Sequence, residues 1–146
     1  DLKYMSSCPA GQYSAAPDYF EYASRAILAM HAQQPALVYN RDGMLRRGLM
    51  VRHLVLPGGR KDSLALVDWL ASALPKGSFL LSLMGQYTPT AEVSAHSQLG
   101  RRITRLEYRS VLDRAAALGL EGYSQGREAE GEHYIPDFDD MGLIDM

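Results

Sequence analysis

The chain has 146 residues, the length of one ordinary domain, and 47% of them are hydrophobic against 22% charged, which excludes wholesale disorder. Fifteen basic residues against seventeen acidic ones leave a net charge of −2, which argues against broad electrostatic binding to nucleic acid or to a membrane surface. The single cysteine, Cys8, excludes an internal disulfide framework and a Cys-rich metal site, and makes cytoplasmic residence the simple inference.

The longest apolar run, Phe79 to Met84, is strand-sized and far short of the roughly 18–20 residues a membrane-spanning helix needs. No basic segment followed by an apolar stretch opens the chain, so no signal peptide is expected. Asp1-Leu2-Lys3-Tyr4 reads as the end of an element, and the expectation is a fragment of a longer protein.

Ser14-Ala15-Ala16-Pro17 predicts a helix start, with Phe20, Ala23, Ile27 and Met30 on its apolar stripe and Pro35 at its exit. Ala36 to Tyr39 is a short strand-like run. Asn40-Arg41-Asp42-Gly43 is a turn. Gly48 to Leu56 is a β-rich run that stops at Pro57-Gly58-Gly59, and the two runs predict a small hairpin leading into a core strand. Asp62 or Ser63 is expected to cap the next helix, with Leu64, Val67, Leu70 and Leu74 on its stripe and Trp69 beside them. Ser78 to Met84 predicts a buried strand, and Gly85 to Arg102 a long loop. Thr104-Arg105-Leu106-Glu107 is a capping box, opening a helix with Tyr108, Val111, Ala115 and Leu118 inward and Gly119 beyond its end. A weak strand follows at Glu121 to Ser124.

The last 26 residues hold eight acids (Glu121, Glu128, Glu130, Glu132, Asp137, Asp139, Asp140, Asp145) and one base, Arg127. They read as an extended tail packed through Tyr134, Ile135 and Phe138. Strand–helix alternation predicts an α/β fold with a parallel sheet, either a small open sheet or half of a barrel.

Arg52 is the most informative single residue. It sits in the strand Leu49 to Leu56, where a guanidinium needs a partner for its charge. That partner is either a ligand carboxylate, phosphate or ribose, or an internal acid; an edge open to water is the third possibility. His53 points to the opposite face and reads as a hydrogen-bonded core histidine beneath a helix. His31, His96 and His133 lack metal-ligand spacing. Pro57 to Ser63 joins a strand to a helix, where exposed amides favour an anion, but it lacks P-loop spacing and reads as a tight turn. Asp1 and Lys3 share a face at a strand end and bracket a zwitterion or form a solvated pair. Gln86-Tyr87-Thr88-Pro89-Thr90 follows a core strand, where α/β proteins place ligand contacts. Arg101, Arg102, Arg105, Arg109 and Arg114 are interspersed with Glu107 and Asp113, which reads as a solvated face. Cys8 has no evident acid–base partner and reads as an inert thiol.

Several of these segments together resemble one family. Asp1-Leu2-Lys3-Tyr4-Met5, Ala16-Pro17-Asp18-Tyr19-Phe20 and the run Arg47-Gly48-Leu49-Met50-Val51-Arg52-His53-Leu54-Val55-Leu56-Pro57-Gly58 are similar to the C-terminal half of radical SAM proteins, in the branch described as pyruvate formate-lyase activating enzyme-like. Ser82 to Pro89, Arg101 to Thr104 and Tyr134 to Phe138 continue the resemblance in order along nearly the whole chain. It implies that residues 1–120 form the C-terminal half of a partial (β/α)6 TIM-like barrel, with parallel strands inside and helices outside. Residues 121–146 are then an acidic extension of the same domain.

The resemblance also implies S-adenosylmethionine and a [4Fe-4S] cluster as cofactors. An electron donor reduces the cluster, which cleaves the sulfonium to a 5′-deoxyadenosyl radical. A glycyl-radical enzyme is the implied macromolecular partner. Asp1 and Lys3 fall where the family holds the ribose and methionine carboxylate. Arg52 is expected on the carboxylate or ribose, and Gln86 or Tyr87 stands where better-known activases have a histidine. The family's CxxxCxxC motif is absent, and one cysteine cannot ligate three irons, so the cluster ligands are expected upstream of Asp1 and this stretch alone is expected to be inactive. The rival expectations are a non-enzymatic α/β small-ligand-binding module complete in itself, and a hydrolase using His53 with an acid.

Overall fold

The computed structural model describes residues 1–93, 95 and 98–125. Two helices come first, α1 (Ser7–Ser14) and α2 (Tyr19–Gln33), followed by the short strands β1 (Val38–Tyr39) and β2 (Leu45–Arg47). Then strands and helices alternate: β3 (Leu49–Leu54), α3 (Arg60–Ala73), β4 (Phe79–Met84), α4 (Arg105–Ala117) and β5 (Gly122–Gln125). A single 3-10 turn, Ala91–Val93, lies in the long loop after β4.

β3, β4 and β5 form a parallel sheet whose spatial order is the chain order. Each connection is a helix, as parallel pairing requires. Right-handed crossovers without a reversal of strand order put α3 and α4 on the same side of the sheet, where the two helices pack on one another. The core lies between them and the sheet. Leu49, Val51, Val55, Leu81 and Leu83 share one core cluster with Leu66, Val67 and Leu70 of α3 and Val111, Leu112 and Ala115 of α4. α2 joins this side through Phe20, whose ring meets Trp69 edge to face at 5.1 Å.

The described residues thus make a mixed α/β fold with a small open sheet, and no barrel is formed among them. Three strands cannot curl far enough to close. β3 alternates strictly: Leu49, Val51 and His53 are buried beneath the helices, while Met50 and Arg52 are exposed on the other face. β4, the central strand, is buried along most of its length.

Local chemistry accounts for the elements, and it departs from the sequence reading at several points. Ser14 to Pro17 is not a helix start. It ends α1, with Ala15 left-handed at the C-cap, and α2 begins after Asp18. Met30, expected inward, is exposed. The hairpin partner of Val38–Tyr39 is Leu45–Arg47, antiparallel across the Asn40–Gly43 turn, rather than the run from Gly48 to Leu56. Asn40 fixes that turn by accepting from the Asp42 and Met44 amides.

Neither Asp62 nor Ser63 caps α3. Its N-cap is Gly59, without a side-chain bond, because both side chains are engaged elsewhere. The box at Thr104 and Glu107 forms reciprocally, as its spacing predicts. β5 runs to Gln125, so the boundary at residue 121 falls just before a strand of the sheet. Tyr134, Ile135, Phe138 and the rest of the tail beyond Gln125, with His96 and His133, lie outside the described residues. Among the described residues no helix is long and apolar enough to cross a membrane.

Candidate functional site

Residues 1–4 run beside β3. The Leu2 amide donates to the Arg52 carbonyl at 2.8 Å, and burial alternates, with Leu2 and Tyr4 inward and Asp1 and Lys3 outward. This places Asp1 next to Arg52 on the sheet face that the helices do not cover. The Arg52 Nε donates to Asp1 Oδ1 at 2.7 Å. The guanidinium is not buried, as its position within an apolar run had implied: its side chain is 56% exposed and that of Asp1 41%. The apolar run reflects burial of the other face alone. In such surroundings the pair contributes little to stability, about 1 kcal/mol or less. Its two Nη groups make no hydrogen bond among the described residues.

On the helix side, His53 is 2% exposed and bridges two elements. Its Nδ1 lies 2.7 Å from the Leu2 carbonyl and its Nε2 2.8 Å from Ser63 Oγ. A carbonyl only accepts, so Nδ1 carries the proton, and the neutral ring's Nε2 accepts from the Ser63 hydroxyl. Burial holds the imidazole below its usual pKa; the Leu2 bond and the nearby Asp62 oppose this. The arrangement fits the core histidine expected from the sequence.

Next to this bridge lies a cavity of about 330 Å³ at the C-terminal end of β3. Lys3, Tyr13, His53, Lys61, Asp62 and Gln98 are among the residues that line it. Asp62, in the first turn of α3, accepts from the Met5 amide at 2.9 Å and the Ser6 amide at 2.8 Å, and also from the Ser6 hydroxyl. It thereby fixes the start of α1, which roofs the cavity. Cys8 lines the cavity from α1 and is exposed.

A third cluster locks the turn after β3. Glu107 accepts two bonds from Arg101, at 2.7 and 2.8 Å, and others from the Thr104 amide and hydroxyl and the Gly58 amide. The Arg101 guanidinium first, and the backbone donors after it, hold the Glu107 carboxyl well below the usual carboxylate range. So the Pro57–Gly58 turn binds an anion, but that anion is a side chain of α4. Arg109 pairs with Asp113 and Arg114 with Asp68, in keeping with a solvated face.

Of the five expected ligand residues, the fold brings Asp1 and Arg52 together. Lys3 stands on the cavity instead. Gln86 follows the end of β4 and is exposed. The Tyr87 hydroxyl donates to the Leu99 carbonyl at 2.8 Å. Asp62 and Ser63 were read only as caps. Their partners are ten or more residues away in sequence, and no local pattern announces such bonds.

A [4Fe-4S] cluster needs three protein thiolates, and this chain has one. Among the described residues no group of three His, Cys, Asp or Glu side chains is placed to hold a metal ion. These residues therefore do not fit the cluster. The Arg52 Nη groups can take a carboxylate and Asp1 can accept from hydroxyls, while the Lys3 ammonium stands on the cavity and not beside this pair. No family profile, curated protein or solved structure matches the chain.

Proposed function

We propose that these residues are the latter half of a radical SAM enzyme of the pyruvate formate-lyase activating type, and that they supply part of its S-adenosylmethionine site. The observation that carries this reading is the Arg52–Asp1 pair, a base and an acid joined at 2.7 Å across neighbouring chain segments on the uncovered sheet face. A strand order that follows the chain, with α3 and α4 on one side, supports it too: a singly wound barrel segment has this pattern, and a doubly wound sheet reverses order at its ligand site.

Arg52 holds the methionine carboxylate through its Nη groups and Asp1 accepts from the ribose; Lys3, on the cavity, stands apart from this pair. Gln86 lines the strand ends from β4, and Tyr87 contributes its ring, its hydroxyl being engaged. A [4Fe-4S] cluster would supply the electron for cleaving the sulfonium, and the three thiolates it needs are not among these residues. A reducing electron donor and a glycyl-radical enzyme as hydrogen-atom donor are part of the same proposal.

The test begins with the coding sequence upstream of Asp1, where an in-frame CxxxCxxC is expected. In the cluster-bearing enzyme, Arg52→Ala is then expected to lower S-adenosylmethionine cleavage at fixed cluster content. Unchanged binding and cleavage would sink the assignment.

The cavity beneath α1 favours a second reading, a non-enzymatic α/β module that binds a small ligand. That reading expects cooperative unfolding of the isolated chain and no effect of Arg52→Ala on ligand binding.

A further inference from the structure

Charge is divided unevenly along the chain. Residues 1–125 hold fourteen bases and ten acids, a net charge of +4, while residues 126–146 hold seven acids and one base, a net charge of −6. Three of those fourteen bases, Arg41, Arg46 and Arg47, fall within seven residues on the hairpin of β1 and β2. All three are exposed, and none makes an ion pair among the described residues. Arg25, Arg52, Arg101, Arg109 and Arg114 each have an acid beside them.

The hairpin has an inner and an outer side. Tyr39 and Leu45 are register partners and both are half-buried. The Tyr39 hydroxyl is buried near Tyr123 and Glu121, so this inner side meets the sheet at the start of β5. Val38 and Arg47 are the other pair, and both are exposed. Val38 is 47% exposed, and Met44, at the end of the turn, 65%. The outer side thus mixes open apolar groups with three guanidinia that lack an acid.

We propose that the outer side of the hairpin is the docking surface for the chain's own residues 126–146, with Tyr134, Ile135 and Phe138 on Val38 and Met44 and the neighbouring acids paired with Arg41, Arg46 and Arg47. The two segments match in kind. Glu132, Asp137, Asp139 and Asp140 are interspersed with the three apolar residues, as the arginines are with Val38 and Met44. The length suffices. Tyr134 is nine residues beyond Gln125, and nine extended residues reach about 30 Å, whereas the six residues of β4 cover about 20 Å. The chain can therefore turn back along the whole sheet to the hairpin. Apolar contact gives such docking most of its strength, since each exposed ion pair adds little, and the charges select the partner. It needs neither Arg52 nor any ligand, so it does not rest on the S-adenosylmethionine assignment.

The experiment is paramagnetic broadening in the full chain. A nitroxide on Gly142→Cys, in a Cys8→Ser background, is expected to at least halve the methyl signals of Val38 and Met44. The signals of Leu106, exposed at the start of α4, are expected to stay unchanged. Arg46→Glu combined with Arg47→Glu is expected to restore the hairpin signals, and Arg46→Lys combined with Arg47→Lys to keep them broadened.

Hairpin signals that stay sharp in the labelled chain overturn the proposal. So does broadening that survives the charge reversal. Broadening that grows with protein concentration makes the tail of a second copy the occupant and overturns docking within one chain. Equal recovery in the glutamate and lysine pairs overturns it as well, because a change in the hairpin rather than in its charge is then the cause.

Discussion

The Gly58 amide donates to the Glu107 carboxylate at 2.7 Å, which ties the first turn of α4 to the turn that leaves β3. The same carboxylate caps its own helix and takes both arms of Arg101. One side chain thus fixes the loop after β3, the loop before α4 and the helix start. Glu107→Ala is expected to cost about 2–4 kcal/mol, combining a lost cap with an unpartnered Gly58 amide. Urea unfolding measures it. Glu107→Gln keeps the shape and is expected to lose less. Equal losses would mean that the charge of the carboxylate, and not its shape, carries the whole contribution.

The Glu107 contribution has a pH signature. Its folded carboxyl lies far below the ordinary value of 4.5, so the stabilisation is complete above that value and is lost as pH falls towards the folded pKa. The wild type is expected to lose stability between about pH 5 and 3 more steeply than Glu107→Gln.

His53 gives the same sign in a higher window. Burial depresses the folded imidazole below 6.5, so in that interval the unfolded chain binds a proton that the folded chain does not. Stability is complete above about pH 6.5 and falls as pH drops through the folded pKa. Asp62, the acid that faces the ring, moderates the effect without reversing it. His53→Gln is expected to flatten the slope between pH 6.5 and 5. Ser63→Ala, which strips the buried Nε2 of its donor, is expected to cost about 1–3 kcal/mol at pH 7.5.

What the sequence could reveal depended on whether the cause was local. Thr104 and Glu107 are three residues apart and their reciprocal bonds need nothing else, so the capping box was legible. Val67, Leu70, Val111 and Ala115 recur at helical spacing, and their helices were legible too; Leu66 escaped because it broadens the stripe rather than repeating it. α1 was not legible. It contains Pro9 and Gly11, buries only Ala10, and is held by Asp62 some 56 residues away. The pairing of Arg52 with Asp1 spans 51 residues. Spacing alone named both residues but could not join them.

That dependence of α1 on Asp62 is testable. Asp62→Ala removes the acceptor of the Met5 and Ser6 amides. The expected loss is about 2–3 kcal/mol, confined to the amino-terminal segment because α1 adds so little to the core. Hydrogen exchange is expected to show lost protection at residues 5–14 with that of β4 unchanged. A uniform loss across the sheet would mean that α1 is integral to the core.

The last prediction concerns Gly122, which holds β5 against β4. Its φ is 154°, and a Cβ built there would overlap the Leu81 carbonyl. Backbone meets backbone at this point, so no side-chain rotation relieves the clash. Gly77 is the control: its φ of 74° is also disfavoured for other residues, but a Cβ there meets only Glu121 Oε1, at 3.7 Å. Gly77→Ala is expected to cost about 1–2 kcal/mol, the price of the left-handed conformation alone. Gly122→Ala adds displacement of the strand and is expected to cost about 3 kcal/mol or more. Urea midpoints at neutral pH rank the two. Equal stability costs would mean that β5 does not approach Leu81 at contact distance.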